Sequence, residues 1–291
     1  MTRIRSVLAV VAAAAGWVVA PAGQAPPDRP LAPIELTGTT LRRYEAADAS
    51  QGVAAGLQHF FAVDNAVLAK HDVRSGRLLD RWAGPPDGPI RHMNSCLADR
   101  GRLWCANSNY PQTPMGSSVE VFDMATLNHV ASHSLGMRDE GSLTWFDRYR
   151  TGWIAGFSHY DKNGGVGFKD HSFSSVVTFD AQWRRTGGWL LPAGVLERMA
   201  PYASSGGAIG PDGWLYLLGH DRPEMYVVGR PAMGPSLVHI ATIALEAEGQ
   251  AFSWAKNGRR VVFAIDRKLR LVRTIQIPPV GAGGANARRF R

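Results

Sequence analysis

The chain has 291 residues, 45% of them hydrophobic and 19% charged, with a net charge of +8 and two cysteines. Its basic residues are dispersed, with short clusters such as Arg184-Arg185, Arg259-Arg260 and Arg288-Arg289-Phe290-Arg291, and none of these interleaves with aromatic residues on a strand face. That pattern excludes a nucleic-acid reader and leaves a non-specific attraction to anionic polymers. Two cysteines spaced as Cys96 and Cys105, with no second Cys or His pair at ligand spacing, exclude a zinc or haem attachment motif.

The first residues read as a targeting segment. Arg3 and Arg5 form a cationic start, residues 7–20 are apolar, and Ala22-Gly23-Gln24-Ala25 is a small-residue cleavage site, so residues 1–25 are expected to be a signal peptide. The apolar stretch is shorter than a membrane span, and no later segment approaches spanning length. The mature chain is therefore expected to be exported, periplasmic or extracellular, with no transmembrane segment. At about 266 residues it has ample length for one closed core.

Five short segments then recur: Ser50-Gln51-Gly52-Val53, Asn94-Ser95-Cys96-Leu97, Glu140-Gly141-Ser142-Leu143, Ser205-Gly206-Gly207-Ala208 and Glu248-Gly249-Gln250-Ala251. Their spacings, roughly 43, 46, 65 and 43 residues, are those of propeller blades. Behind each comes a second apolar run ending in polar residues, into Asp64, Asn107, His159, His220 and Asp266. Asp72, Asp123 and Asp180 lead turns between third and fourth strands in three copies. The expected fold is all-β: a five-bladed β-propeller of four-stranded antiparallel blades, occupying residues 26–278. The last copy lacks an outer strand, and residues 34–44 are expected to fill it beside residues 269–278, closing the ring; the alternative is an edge strand on an open sandwich. Residues 279–291 read as a flexible basic tail.

With Arg100-Gly101 as a two-residue hairpin loop, Cys96 faces Cys105. In an exported protein this pair reads as a cross-strand disulfide, with two free buried thiols as the alternative.

In a propeller the innermost strand starts, and the second strand ends, on one face of the central channel. Gln51, Asn94, Glu140, Ser205 and Glu248 from the first set, and Asp64, Asn107, His159, His220 and Asp266 from the second, are thereby expected at one mouth. Glu140, Glu248, His159 and His220 are the candidate catalytic residues, with Gln51, Asn94, Asn107 and Ser205 as candidate ligand contacts. Each has a structural alternative, since carboxylates before glycine and polar residues at strand ends also serve as turn formers. His159 opens a Gly-rich insertion of the kind that forms lids. His92 lies just before a channel strand, and Tyr110 and Met115 can pack over a ligand. No nucleophile elbow, phosphate loop, His-Glu-x-x-His or dinucleotide fingerprint is present.

Ser50-Gln51-Gly52, His92-Met93-Asn94-Ser95, Gly141-Ser142-Leu143-Thr144-Trp145, Ser205-Gly206-Gly207-Ala208, Gly219-His220-Asp221 and Glu248-Gly249-Gln250-Ala251 together resemble a group of exported bacterial propeller proteins to which no activity is assigned. More distantly, the blade pattern is similar to plant-type glutaminyl cyclases, which are five-bladed, and to gluconolactonase-like propellers, which are six-bladed and hold calcium with Glu, Asn and Asp. The later blades depart from the cyclase pattern, and the blade count departs from the lactonases.

Two readings follow. One is a hydrolase, lactonase or cyclising transferase in which Glu140 or Glu248 is the base, His159 or His220 shuttles a proton, and Asn94 and Asn107 hold an oxyanion or a divalent cation such as calcium. The other is a non-catalytic receptor, expected to be monomeric, that grips a polar or carbohydrate-like small molecule with the same amides and with Trp145 or Tyr160.

Overall fold

The computed structural model describes residues 32–162, 164–282 and 286–290. The expected signal peptide lies outside them. Among the described residues the chain opens with β1 (Ile34–Thr37) and β2 (Thr39–Glu45) and then runs through five blades, four of them four-stranded sheets and one, the fourth, widened to six strands by β1 and a short strand near residue 287. The first is β3 (Gly52–Ala55), β4 (His59–Asp64), β5 (Val67–Asp72) and β6 (Leu78–Ala83). The second is β7 (His92–Asp99), β8 (Arg102–Ser108), β9 (Gly116–Asp123) and β10 (His129–Met137). The third is β11 (Ser142–Tyr149), β12 (Gly152–Ser158), β13 (Ser175–Phe179) and β14 (Arg185–Leu190). After the short helix α1 (Ala193–Met199), β15 (Gly206–Ile209), β16 (Leu215–Leu218), β17 (Glu224–Pro231) and β18 (Val238–Ala244) make the fourth. The fifth has three strands of its own, β19 (Ser253–Trp254), β20 (Val261–Asp266) and β21 (Leu271–Gln276). Within each sheet these strands pair antiparallel in chain order, giving a five-bladed β-propeller.

The ring closes through the start of the chain. β2 pairs antiparallel with β21, from Thr39 opposite Gln276 to Glu45 opposite Leu271, and supplies the missing outer strand. The expected closing segment is thus divided: β1 leaves it and pairs in parallel with β18 of the neighbouring blade. Gly38 makes the crossing possible. A Cβ there would sit 2.9 Å from both Ile275 and Leu245, in the seam between the two blades.

Five apolar clusters fill the molecule, one between each pair of adjacent blades, so that every blade buries both faces. Trp145, fully buried, anchors the seam between blades three and four and donates from Nε1 to Ser204 Oγ at 2.8 Å. Gly156 and Gly207 flank its indole so tightly that a Cβ on either would overlap the ring. This placement removes Trp145 from the expected ligand contacts.

The hairpin between β7 and β8 has Arg100 at φ 49° and Gly101 at φ 75°, the left-handed pair that a two-residue turn needs. Cys96 lies opposite Cys105, and the two form a disulfide. At the other end of the chain, the stretch expected as a flexible tail contributes β22 (Ala287–Arg288), which pairs with the end of β17. Phe290 then buries its ring against Tyr149 and Trp189. An apolar ring after the arginines gives that segment a reason to dock. Among the described residues no helix is long and apolar enough to cross a membrane.

Candidate functional site

The inner strands β3, β7, β11 and β15 start, and the second strands β4, β8, β12, β16 and β20 end, on one face, and the loops there carry a continuous rank of rings. His92 packs on Tyr110 with centroids 4.8 Å apart, Tyr110 meets Tyr160 at 5.0 Å, Tyr160 approaches Tyr202 at 6.5 Å, and Tyr202 stacks on His220 at 4.0 Å. Blades two, three and four each supply part of it. The loop after β20 completes the arc with Arg267, whose Nη1 lies 2.9 Å from His220 Nε2.

Hydrogen bonding fixes both imidazoles. Asn65 Nδ2 donates to Asp64 Oδ1 at 2.9 Å, which orients the Asn65 amide and leaves its Oδ1 to accept from Gln51 Nε2 (3.3 Å) and His92 (2.7 Å). His92 Nδ1 is therefore the protonated nitrogen, and Nε2 keeps a lone pair. Burial pushes His92 down to about 4, Arg267 and His220 add to that, and Asp64 opposes it. His220 has the same tautomer: Nδ1 donates to Asp221 Oδ1 at 2.5 Å, while an arginine can only donate to Nε2. Its pKa is also lowered, chiefly by burial, with Asp221 opposing and Arg267 reinforcing. Burial raises the Tyr160 and Tyr110 hydroxyls, which stay protonated donors. Two neutral imidazoles and the partly exposed phenols Tyr110 and Tyr202 thus lie at one mouth, with Tyr160 buried between them.

The carboxylates there are compensated. Asp64 lies 3.6 Å from Arg270, Glu248 2.8 Å from Lys268, and Asp266 2.7 Å from Arg273. Glu248 is near enough to act on the His220 pKa.

The other expected residues are distributed differently. Glu140 pairs with Arg185 of the outermost strand β14 at 3.0 Å. Gly141 follows it at φ 106°, a left-handed position where a Cβ would also overlap the Ser158 carbonyl oxygen. His159, 3% exposed, turns beneath the insertion it opens and binds the Asp139 carbonyl through Nε2 at 3.1 Å; burial lowers its pKa. Asn107 is consumed within its blade: Oδ1 accepts from the Arg91 and His92 amides, both at 3.1 Å, and Nδ2 donates to Ser118 Oγ at 3.0 Å. It holds the backbone of His92 and acts as a positioning residue. Asn94 and Ser205 are buried at the channel neck, Ser205 through its backbone bond to Leu218. Gln51 reaches the site through Asn65. Met115 is buried, whereas Tyr110 takes part directly.

Asn65, Tyr202 and Arg267 were not among the expected site residues. Arg267 follows Asp266 at a second-strand end, so its position in the repeat marked it; Tyr202 sits in the irregular connection after α1, where the repeat carries no information.

The donors expected for a divalent cation, Glu140, Glu248, Asn94 and Asn107, are thus spread over separate contacts. Among the described residues, the grouping with ligand spacing is Asp161, Asp170 and His171 in the insertion. Asp161 is spent on the His171 ring and amide, and Asp170 on Ser172, so both acids already have local roles. A Ser-His-Glu grouping on β9 and β10 also fails as a catalytic triad. His129 presents the same Nε2 to Glu120 (2.8 Å) and Ser132 (3.3 Å), so the acid and the serine do not sit on opposite ring nitrogens as a proton relay requires.

No protein-family model matches the chain, and no curated protein sequence matches it. Among solved structures it is similar to a chain of a mitotic checkpoint complex, with TM-score 0.42, 11% identity, and coverage of 92% of this chain and 99% of that one. The WD40 repeats of RRP9 give TM-score 0.45 and 11% identity over 83% of this chain and 99% of theirs. U3-55K gives TM-score 0.44 and 11% identity over 82% and 98%. At these scores the likeness adds nothing to the fold described above, and the finer resemblance to glutaminyl cyclases or gluconolactonase-like propellers is not shown.

Proposed function

We propose that the channel mouth binds a polar, carbohydrate-like small molecule. The observation that carries this reading is the rank from His92 through Tyr110, Tyr160 and Tyr202 to His220, with centroid separations of 4.0–6.5 Å. Flat apolar faces stack on the faces of a sugar or heterocycle, and phenols, neutral imidazoles and one guanidinium hydrogen-bond its rim. The test is a calorimetric screen of mono- and disaccharides against the protein and its Tyr202→Ala variant. Saturable one-to-one binding that weakens in the variant supports the reading, and binding that the variant leaves unchanged refutes it.

A hydrolytic or cyclising activity is favoured by a different observation, the His92 Nε2 lone pair. Asn65, itself oriented by Asp64, holds His92 in a neutral tautomer able to accept a proton from a bound hydroxyl or water. In this reading His92 takes the part expected of Glu140 or Glu248. Loss of turnover with retained ligand binding in His92→Gln supports it; retained turnover refutes it. Export is supported by the Cys96–Cys105 disulfide, which persists in oxidising compartments.

A further inference from the structure

The inner strands leave the channel on the opposite face, and two cavities there adjoin. One, of about 490 Å³, lies between the ends of β11, β15 and β19; the other, of about 390 Å³, continues from it along β13 and β14. Tyr149 and Arg150 line both, so together they form one trough.

Its charge is one-sided. Asp147 has both oxygens engaged by backbone amides, Arg148 N at 2.7 Å and Ile209 N at 2.8 Å. Asp180 is paired with Arg184 at 2.7 Å, and Arg148 with Asp99 at 2.9 Å. Arg230 is held by the Arg289 carbonyl. Arg150 and Arg259 have no carboxylate partner among the described residues, and Lys256 lies within electrostatic reach of Asp147. Ring surfaces line the same cavities: half-buried Trp254 shares the first with Arg259 and Arg150, and half-buried Trp189 shares the second with Arg150.

We propose that this trough is a second binding site, for an acidic oligosaccharide. An elongated ligand fits two joined cavities, anionic groups fit Arg150 and Arg259, and sugar rings between those groups fit the aromatic faces. The site uses none of the tyrosine-rank residues and stands independently of their ligand.

The test is calorimetric titration of the whole protein with a galacturonate hexamer, maltohexaose and a polyphosphate of matched charge. The expected result is saturable binding of the galacturonate hexamer, none of maltohexaose, and a loss of at least roughly tenfold in the Arg150→Gln, Arg259→Gln double variant. Both side chains are exposed, so the double variant should keep the parent melting temperature, and that is checked first. Absence of galacturonate binding, or binding that the double variant leaves intact, overturns the proposal. Equal binding of polyphosphate overturns the sugar assignment, because the trough would then read charge alone.

Discussion

Tyr202 and His220 stack with centroids 4.0 Å apart and planes inclined at 26°, joining the connection after α1 to the end of β16. Neither residue belongs to a core cluster, so their contact presents a surface at the mouth more than it supports a blade. Tyr202→Ala is expected to lower ligand affinity roughly five- to tenfold, about 1–1.5 kcal/mol, with the melting temperature little changed. Calorimetry with any ligand found in the saccharide screen checks it.

Glu140 and Asn107 should both depart from their first reading. Glu140→Gln removes a partly exposed ion pair with Arg185, so stability should fall by no more than about 1 kcal/mol and ligand affinity should be unchanged. Asn107→Ala strands two backbone amides at the His92 turn and should cost about 1–3 kcal/mol while weakening the ligand through a displaced His92. Denaturant melts paired with titrations separate the two outcomes.

Acid should destabilise the fold through its histidines. His92 and His220 are held neutral, with folded pKa values below the ordinary 6.5, so the unfolded chain binds more protons over that window. Stability should therefore fall as pH drops from 6.5 towards 4, the His92 value, and His92→Gln should flatten the decline. Urea unfolding at several pH values gives the slope directly, and an unchanged slope in the variant would contradict the assignment.

The disulfide spans nine positions across a paired hairpin. Reduction should add two hydrogens to the intact mass and lower stability by about 2–3 kcal/mol from loop-closure entropy. A Cys96→Ser, Cys105→Ser double variant should show the same loss without reductant.

Phe290 is 2% exposed although it lies in a stretch that composition marks as a tail. Phe290→Ala should cost about 3 kcal/mol. If the stretch only trailed from the blade, the substitution would leave the melting temperature where it was.

The legible part of this fold was the part that repeats. Segments such as Ser205-Gly206 and the Arg100-Gly101 turn follow from strand register and backbone preference, which local sequence encodes, and blade number, hairpin and disulfide came with them. Side-chain direction did not. Glu140 and Glu248 occupy matching places in the repeat, yet one meets Arg185 on an outer strand and the other Lys268 beside the mouth. Their partners are set by residues far away in sequence. Tyr202 and Asn65 were hidden for a related reason: they sit in connections whose lengths differ from blade to blade, and only the assembled ring brings them alongside His220 and His92.

The pairing of β2 with β21 joins the first strand of the ring to its last. A ribosome delivers these strands at opposite ends of its work, so the earlier one must wait with its edge bare while four blades are made. Folding of this ring is thereby a contest between late closure and early sticking, and the arginines on that waiting strand, Arg42 and Arg43, are charges of the kind that keep an open edge from finding the wrong neighbour.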